Sequence, residues 1–172
     1  MALVNMKTDS SSLPSSSSAV AAGWNHDVFL SFGGEDTCYN FVGHLYEALR
    51  QKGIHTFKDD KNLDRGKPIS PVLLKAIEES RLAIVIISKD YASSAWCLDE
   101  LAHIIHCKNE MGMIVLPVFH NVAPFDVGKQ MGTFEQAFIK HEEMENKERV
   151  EKWRDALRQL GNLGGCHLKN SG

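Results

Sequence analysis

Apolar runs alternate with segments of helical periodicity along most of this chain, and that alternation limits the folds open to it. The run LAIVIIS, Leu82–Ser88, stays apolar until its last position, which indicates a strand buried on both faces. Between such runs, apolar residues recur three or four positions apart, as Phe41, Leu45 and Leu49 do. Apolar strands separated by helices predict a flavodoxin-like, doubly wound α/β domain, a parallel sheet of about five strands flanked by helices.

The predicted elements follow one another from Trp24 onward. The strands are His26–Phe32, 54–58, Leu82–Ser88 and Met113–His120, and the helices are Phe41–Leu49 (ended by Gly53), a segment opened by Ser70 or Pro71, Trp96–Lys108, Thr133–Glu143 and Val150–Leu160. The Ser-rich stretch before them predicts a disordered segment over residues 1–24. The sequence GNLGG after the last helix predicts that the domain covers 25–165 and that 166–172 form a loose tail.

Charge and cysteine usage exclude several classes of function. The net charge of −3 gives no field that would attract nucleic acid or an anionic membrane surface. The sequence contains no apolar run near the ~20 residues that cross a bilayer. The cysteines, Cys38, Cys97, Cys107 and Cys166, form no C-x-x-C pair, so we predict reduced thiols in a reducing compartment.

The loops after the strands are where function is expected, because ligands of doubly wound folds bind beyond the carboxyl ends of the strands. These loops are Gly33–Thr37, Asp59–Pro68, Lys89–Ala95 and Asn121–Gly132. The first holds GGEDT, which lacks a dinucleotide or P-loop pattern and carries two acids that repel phosphate. A tight turn in which Asp36 or Thr37 caps the next helix is the simpler interpretation. The second loop either clamps a ligand or partner, or is a solvated surface segment.

The stretch SKDYASSAWCLDEL, residues 88–101, is the most informative of these loops because it leads from the central strand into a helix. Its pattern predicts that Glu100 lies in the first turn of that helix, near the positive end of the helix dipole. A carboxylate there is able to bind a ribose hydroxyl or to stabilise an oxocarbenium-like state, as in glycosidases. The alternative is an ordinary acid that stabilises the start of a helix.

The same helix also carries residue types that bind metals. Glu100, His103 and Cys107 are spaced i, i+3 and i+7, with His106 nearby, and all three residue types bind zinc. The sequence offers no second cluster to complete a ligand set, so we predict no metal site.

Four stretches in order resemble one family, the Toll/interleukin-1 receptor (TIR) domains of plant intracellular immune receptors. They read DVFLSFGGEDT, GIHTFKDDKNLDRGKPISPVLLKAIEES, AIVIISKDYASSAWCLDELAHI and IVLPVFHNVAPFDVGKQMGTFEQAF, and the match runs from about His26 to Leu168. The full receptors continue into nucleotide-binding and leucine-rich-repeat regions. The expectation is therefore a domain excised from such a receptor or a TIR-only protein.

The resemblance implies an enzyme that is also an assembly module. Plant TIR domains cleave NAD+ or NADP+ at the nicotinamide–ribose bond, giving nicotinamide, ADP-ribose and cyclic ADP-ribose-type signals that promote defence and cell death. NAD+ or NADP+ is then a substrate, and no cofactor is permanently bound. By this resemblance Glu100 is catalytic, the substrate pocket is formed by Gly33, Gly34, Phe57, Ser94, Trp96 and Cys97, and self-association uses Gly43, His44, Arg65, Gly66 and Lys67.

Two departures from the family pattern keep a second function open. The usual F-R-G-E-D-T-R turn here reads FGGEDTC, with Gly33 and Cys38 in place of the two arginines, and the usual Ser-His pair on the first helix is Gly43-His44. The loss of one charge-assisted contact weakens binding by roughly tenfold to a hundredfold. The two expectations are an NAD-cleaving enzyme activated by self-association and a catalytically weak or inactive TIR–TIR adaptor or decoy.

The partners that the resemblance implies are other TIR domains, from dimer to tetramer or filament, and lipase-like immune signalling proteins downstream. A membrane or nucleic acid is not expected as a partner. The implied location is the cytoplasm, with the nucleus as a second compartment.

Overall fold

A five-stranded parallel sheet forms the centre of the domain. The computed structural model describes residues 23–33, 39–59 and 68–169. The elements are β1 (His26–Phe32), α1 (Tyr39–Gln51), β2 (Thr56–Lys58), α2 (Pro71–Glu78), β3 (Ser80–Ile87), α3 (Ala95–Met111), β4 (Ile114–His120), α4 (Pro124–Lys129), α5 (Thr133–Met144), α6 (Lys147–Gly161) and β5 (Cys166–Leu168), with a short 3-10 helix at Tyr91–Ser93. The strand order is β2-β1-β3-β4-β5, all parallel. The doubly wound α/β prediction is confirmed.

Both faces of the sheet are covered, which explains the uninterrupted apolar runs in the sequence. On one face Val28 and Leu30 of β1 pack in a cluster that includes Val42 of α1. On the other face Phe29 packs in a larger cluster that includes Leu101 of α3 and Trp153 of α6. Successive residues of a strand point to opposite faces, so a strand with a helix layer on each side has no solvent-facing position to fill with polar residues.

Local chemistry sets the ends of the helices. Ser70 caps α2 by accepting a hydrogen bond from the Leu73 amide at 3.2 Å, and Pro71 follows as the first helical residue, as predicted. Gly112 ends α3 in the left-handed conformation, with φ of 73°, which a glycine adopts without steric cost. These caps fix where α2 and α3 begin and end relative to the sheet.

The structure differs from the sequence analysis in the bounds of several elements, such as the end of α3 at Met111 in place of Lys108, and in the segment after β4. β3 begins at Ser80, two residues before the predicted start, and α4 lies inside the segment predicted as the loop Asn121–Gly132. A helix of six residues spans fewer than two turns, too few for a helical repeat to be visible in sequence.

The predicted loose tail is wrong for residues 166–168. Cys166–Leu168 forms β5 and pairs in parallel with β4, with Cys166 opposite Val118. The last glycine of GNLGG serves this contact, because a Cβ at Gly165 would lie 2.4 Å from the carbonyl oxygen of Pro117. A glycine is needed there for the chain to approach β4 closely enough to pair.

Several predictions fall outside the described residues. They are the disorder over residues 1–22, the cap at Asp36 or Thr37, most of the loop Asp59–Pro68, and the last three residues of the tail. Within the described part of the chain, every helix is too short or too polar to cross a membrane.

Candidate functional site

The end of β1 is joined to the start of α3 by buried hydrogen bonds. The Ser31 hydroxyl lies 2.8 Å from the phenol oxygen of Tyr91, and that phenol donates to the main-chain carbonyl of Cys97 at 3.2 Å. The Cys97 thiol donates to the carbonyl of Phe32 at 3.6 Å. The last two residues of β1 are thereby tied to the first turn of α3 at the edge where a doubly wound fold binds its ligand.

The segment between β3 and α3 brings Tyr91 inside the domain. Tyr91 is fully buried in the 3-10 helix, and Ser94, in extended conformation, then caps α3 by accepting from the Cys97 amide at 3.2 Å. His141 of α5 holds the same segment from outside, since its Nε2 lies 2.7 Å from the carbonyl oxygen of Ala92. A carbonyl only accepts, so this nitrogen carries the proton.

Glu100 lies in the second turn of α3, not in the first as the sequence analysis expected. The helix begins at Ala95 and has no acid in its first turn, so the positive end of the helix dipole is one turn away. The side chain of Glu100 is 0% exposed. Burial, and after it the neighbouring Glu100 and Cys97, raise the pKa of Tyr91 well above its ordinary value. Glu100 is three residues after Cys97 on α3, so it lies one turn from the hydrogen bonds that join β1 to α3.

Trp96 and Phe57 form the side of the site that faces β2. The indole nitrogen of Trp96 donates to Asp59 Oδ2 at 3.1 Å, and Asp59 follows the last residue of β2. Phe57 stacks on Phe29 of β1 with ring centroids 5.5 Å apart and planes 10° apart. Both aromatic residues are half-buried. They help to fix β1, β2 and the start of α3 in one arrangement.

The structure brings together some of the sequence-predicted pocket residues. Ser94 caps α3, Cys97 lies in its first turn, and Glu100 follows one turn later. Gly33 is buried and directly follows β1, while Gly34 lies outside the described residues. The roles of these residues toward a substrate stay predictions.

The residues predicted for self-association divide in the same way. Gly43 and His44 are exposed on α1, and a Cβ added at Gly43 would meet no described atom within 4 Å. Arg65, Gly66 and Lys67 fall outside the described residues. The surface of α1 around Gly43 is therefore open to a partner.

The metal interpretation of α3 gains no support from the side chains. Glu100 and Cys107 are buried, whereas His103 is paired at the surface with Glu78, its Nε2 3.0 Å from Oε1. Burial, and after it the charge of Glu78, raise the pKa of the Cys107 thiol to about 11. In the residues the structure describes, no three His, Cys, Asp or Glu side chains are grouped as a metal site requires.

An ionic clamp holds α3 against α6 next to Glu100. Asp99 accepts from Arg149 through both carboxylate oxygens, at 3.2 Å from Nε and 2.5 Å from Nη2, and from the Trp153 indole nitrogen at 2.9 Å. Arg149 also pairs with Glu145 at 2.7 Å. The hydrogen bond with Asp99 is the largest influence that raises the pKa of Arg149. We call Asp99, Arg149 and Trp153 the α3–α6 clamp.

Comparison with known proteins decides the family. The family model described as TIR domain matches residues 25–172. The chain belongs to the TIR-domain family. This TIR domain is 50% identical over 154 residues to disease resistance protein RPV1 of Vitis rotundifolia. The match covers 90% of this chain and 11% of that protein. It is 48% identical over 151 residues to TMV resistance protein N of Nicotiana glutinosa. That match covers 87% of this chain and 13% of that protein.

A solved structure agrees with the sequence relatives. The TIR domains of the activated Roq1 resistosome, which directly recognises the pathogen effector XopQ, share 51% identity with this TIR domain at a TM-score of 0.75. The match covers 85% of this chain and 89% of that one. This chain is thus a TIR domain of the plant disease-resistance type, and it spans only 11% to 13% of the length of the two resistance proteins above.

The sequence analysis missed the residues whose buried contacts hold α3 against β1 and α6. Ser31 and Tyr91 are 60 positions apart, and Asp99 and Arg149 are 50 apart. A buried serine inside an otherwise apolar strand is the one signal that was available, because a buried hydroxyl needs a hydrogen-bond partner. The clamp gave no such signal, since Arg149 reads as an ordinary surface residue of an amphipathic helix.

Proposed function

We propose that this TIR domain self-associates and, once assembled, cleaves NAD+ or NADP+ at the nicotinamide–ribose bond. The products are nicotinamide with ADP-ribose or a cyclic ADP-ribose-type molecule. The observation that carries the proposal is the position of Glu100 in WCLDEL. It lies one turn after Cys97, which is hydrogen-bonded to the end of β1 at the ligand-binding edge of the sheet.

The chemistry asks little of the protein beyond one well-placed carboxylate. When the C1′–N bond breaks, its electron pair goes to the pyridinium nitrogen, so nicotinamide leaves neutral and needs no general acid. Positive charge develops on the ribose, and a carboxylate beside the sugar stabilises it, as in glycosidases. Water then adds to C1′ and releases a proton, or a nitrogen of the adenine adds instead and closes the ring. Glu100 is the residue proposed for this stabilising role.

Self-association is the step proposed to make Glu100 accessible. Its side chain is 0% exposed in the single chain, so a substrate reaches it only after neighbouring segments move. The similar TIR domains of Roq1 come from an activated resistosome, which supports assembly as the active state. We propose that contacts through the α1 surface at Gly43 and His44, and through the loop at Gly66, accompany that opening.

The direct test is consumption of NAD+ by the purified chain at high concentration with a crowding agent. Glu100→Ala is the loss-of-function variant, and Glu110→Ala is its matched control, an exposed glutamate on the same helix. We expect turnover by the wild type and by Glu110→Ala, and none by Glu100→Ala. Turnover that survives in a folded Glu100→Ala would refute the role of this carboxylate.

A catalytically weak or inactive TIR–TIR adaptor is the second candidate, favoured by Gly33 and by the complete burial of Glu100. Restoring the family cation with Gly33→Arg separates the two functions. If NAD+ loss rises sharply in a variant that still melts cooperatively, the native turn limits an enzyme. If neither the wild type nor Gly33→Arg consumes NAD+ while both self-associate, binding is the function that remains.

The wider setting follows from the same proposal. The signals would act on lipase-like immune signalling proteins and promote defence and cell death, in the cytoplasm and in the nucleus. No permanently bound cofactor is required, because the dinucleotide is the substrate. Neither a membrane nor nucleic acid is proposed as a partner.

A further inference from the structure

We propose that Tyr91 is a positioning residue, whose phenol sets the separation between the end of β1 and the carboxylate of Glu100. This inference rests on the proposed function and deepens it. The phenol contacts both sides of the site at once, with Ser31 Oγ at 2.8 Å and the Cys97 carbonyl at 3.2 Å.

The two ends of this bridge lead to the two halves of the proposed site. Ser31 is followed by Phe32 and Gly33, where the chain enters the turn proposed to meet the dinucleotide. Cys97 is three residues before Glu100 on the same helix, and such residues share one helix face. A change in the length of the bridge therefore changes the distance from Gly33, at the end of β1, to the carboxylate.

Because the bridge is buried, its two hydroxyls keep fixed hydrogen-bond partners. Ser31 and Tyr91 are both 0% exposed, so neither hydroxyl can exchange its partner for bulk water. Because the phenol has a single proton, which it donates to the Cys97 carbonyl, the Ser31 hydroxyl is the donor to the phenol oxygen. Both hydroxyls thus have defined roles, and the separation they hold is narrow.

Other contacts keep α3 in place when the bridge is removed. The Ser94 cap, the Cys97 thiol on Phe32 and the α3–α6 clamp are independent of the phenol. Loss of the hydroxyl is therefore expected to shift the first turns of α3 slightly and not to unfold the domain. A misplacement of less than 1 Å in a catalytic group lowers kcat by about tenfold, with little effect on KM.

The test compares Tyr91→Phe, Ser31→Ala and the double variant S31A/Y91F with the wild type. Tyr91→Phe leaves the Ser31 hydroxyl buried without the phenol and is expected to lower Tm by about 5 °C. The double variant removes both hydroxyls and is expected to regain most of that Tm. Its kcat should stay about tenfold below the wild type with KM unchanged. Tyr46→Phe, the same change on α1, is the control and should leave kcat and Tm within error.

The double variant separates positioning from a purely structural role. If kcat recovers together with Tm, or if Tyr91→Phe keeps wild-type kcat, the inference is wrong. Should Tyr91→Phe fail to fold, the kcat and Tm of Ser31→Ala are compared with those of the wild type instead. Ser31→Ala removes the hydrogen bond between Ser31 and the phenol and leaves the phenol bonded to Cys97.

A second readout keeps the inference distinct from the proposed function. Native-state amide exchange of residues 97–101 should be faster in S31A/Y91F than in the wild type, while exchange in α6 stays the same. If the wild type leaves NAD+ intact, the proposed function fails, and this exchange alone decides the inference. Exchange at the wild-type rate in the double variant would overturn it whatever the activity.

Discussion

Removing the carboxylate of Asp99 is the strongest test of how α3 is held beside the site. In Asp99→Ala, Arg149 loses two hydrogen bonds and Trp153 loses the acceptor of its indole N–H. The Asp99 side chain is 17% exposed and Trp153 is 1% exposed, so water replaces these contacts poorly. The substitution therefore breaks a largely buried cluster and not a surface ion pair.

The magnitude follows from the two losses. A charge-assisted pair contributes about 1.5–3 kcal/mol. The lower end applies, because Arg149 is 33% exposed and retains Glu145. A buried indole N–H left without an acceptor costs about 1–2 kcal/mol more. The free energy of unfolding should thus fall by about 3 kcal/mol, a large part of the stability of a domain this size.

Urea denaturation measures this loss. With an m-value of about 2 kcal/mol per M, the midpoint should fall by about 1.5 M at constant m. Glu145→Ala is the matched control, because it removes the other partner of Arg149, an acid that lies in the connection between α5 and α6, and should cost less than about 1 kcal/mol. A loss in Asp99→Ala no greater than that in Glu145→Ala would refute the reasoning.

Four further predictions concern stability. Gly43→Ala should raise the free energy of unfolding by about 0.5–1 kcal/mol, since a helical glycine is replaced where no described atom lies within 4 Å. Gly161→Ala should lower it by about 1–3 kcal/mol, since its Cβ would lie 2.7 Å from the Cα of Gly128; parallel thermal melts test both signs. The pKa of Cys107, raised from 9.0 to about 11, means that the unfolded chain loses this proton first as pH rises. Stability present below pH ~9 should therefore fall by about 2 kcal/mol as pH approaches 11, relative to Cys107→Ser. Urea titrations at pH 8.5 and 10.5 measure this, and equal losses in both proteins would contradict it. Ser94→Ala should cost about 1 kcal/mol through loss of the α3 cap, with faster exchange of the Cys97 amide.

The sheet was predictable because its central strands are recognisable from a short stretch of sequence. Leu82–Ser88 is apolar at consecutive positions, and only a strand covered on both faces satisfies that pattern together with its short length. β5 was not predictable in this way. Cys-His-Leu has three residues with two of them exposed, and its existence depends on Gly165 passing close to Pro117.

The candidate site was likewise predictable where one contiguous motif forms it, and not where it depends on contacts between distant segments. Glu100 could be singled out because WCLDEL is a contiguous motif at the start of a helix. Its exact turn could not, because the helix start depends on the Ser94 cap and on the 3-10 helix before it. The role of Tyr91 depends on a serine in another strand, and such a pairing exists only after the chain has folded.

The pairing of β5 with β4 also bears on how the domain comes together. β5 is the last described element of the chain. The carbonyl of Leu168, at its end, accepts a hydrogen bond from the Asn121 amide at 2.8 Å. A chain released after residue 165 would leave the Val118–His120 end of β4 as a bare sheet edge. Open edges recruit other strands. During synthesis, residues 166–168 are therefore expected both to complete the sheet and to protect this edge from aggregation.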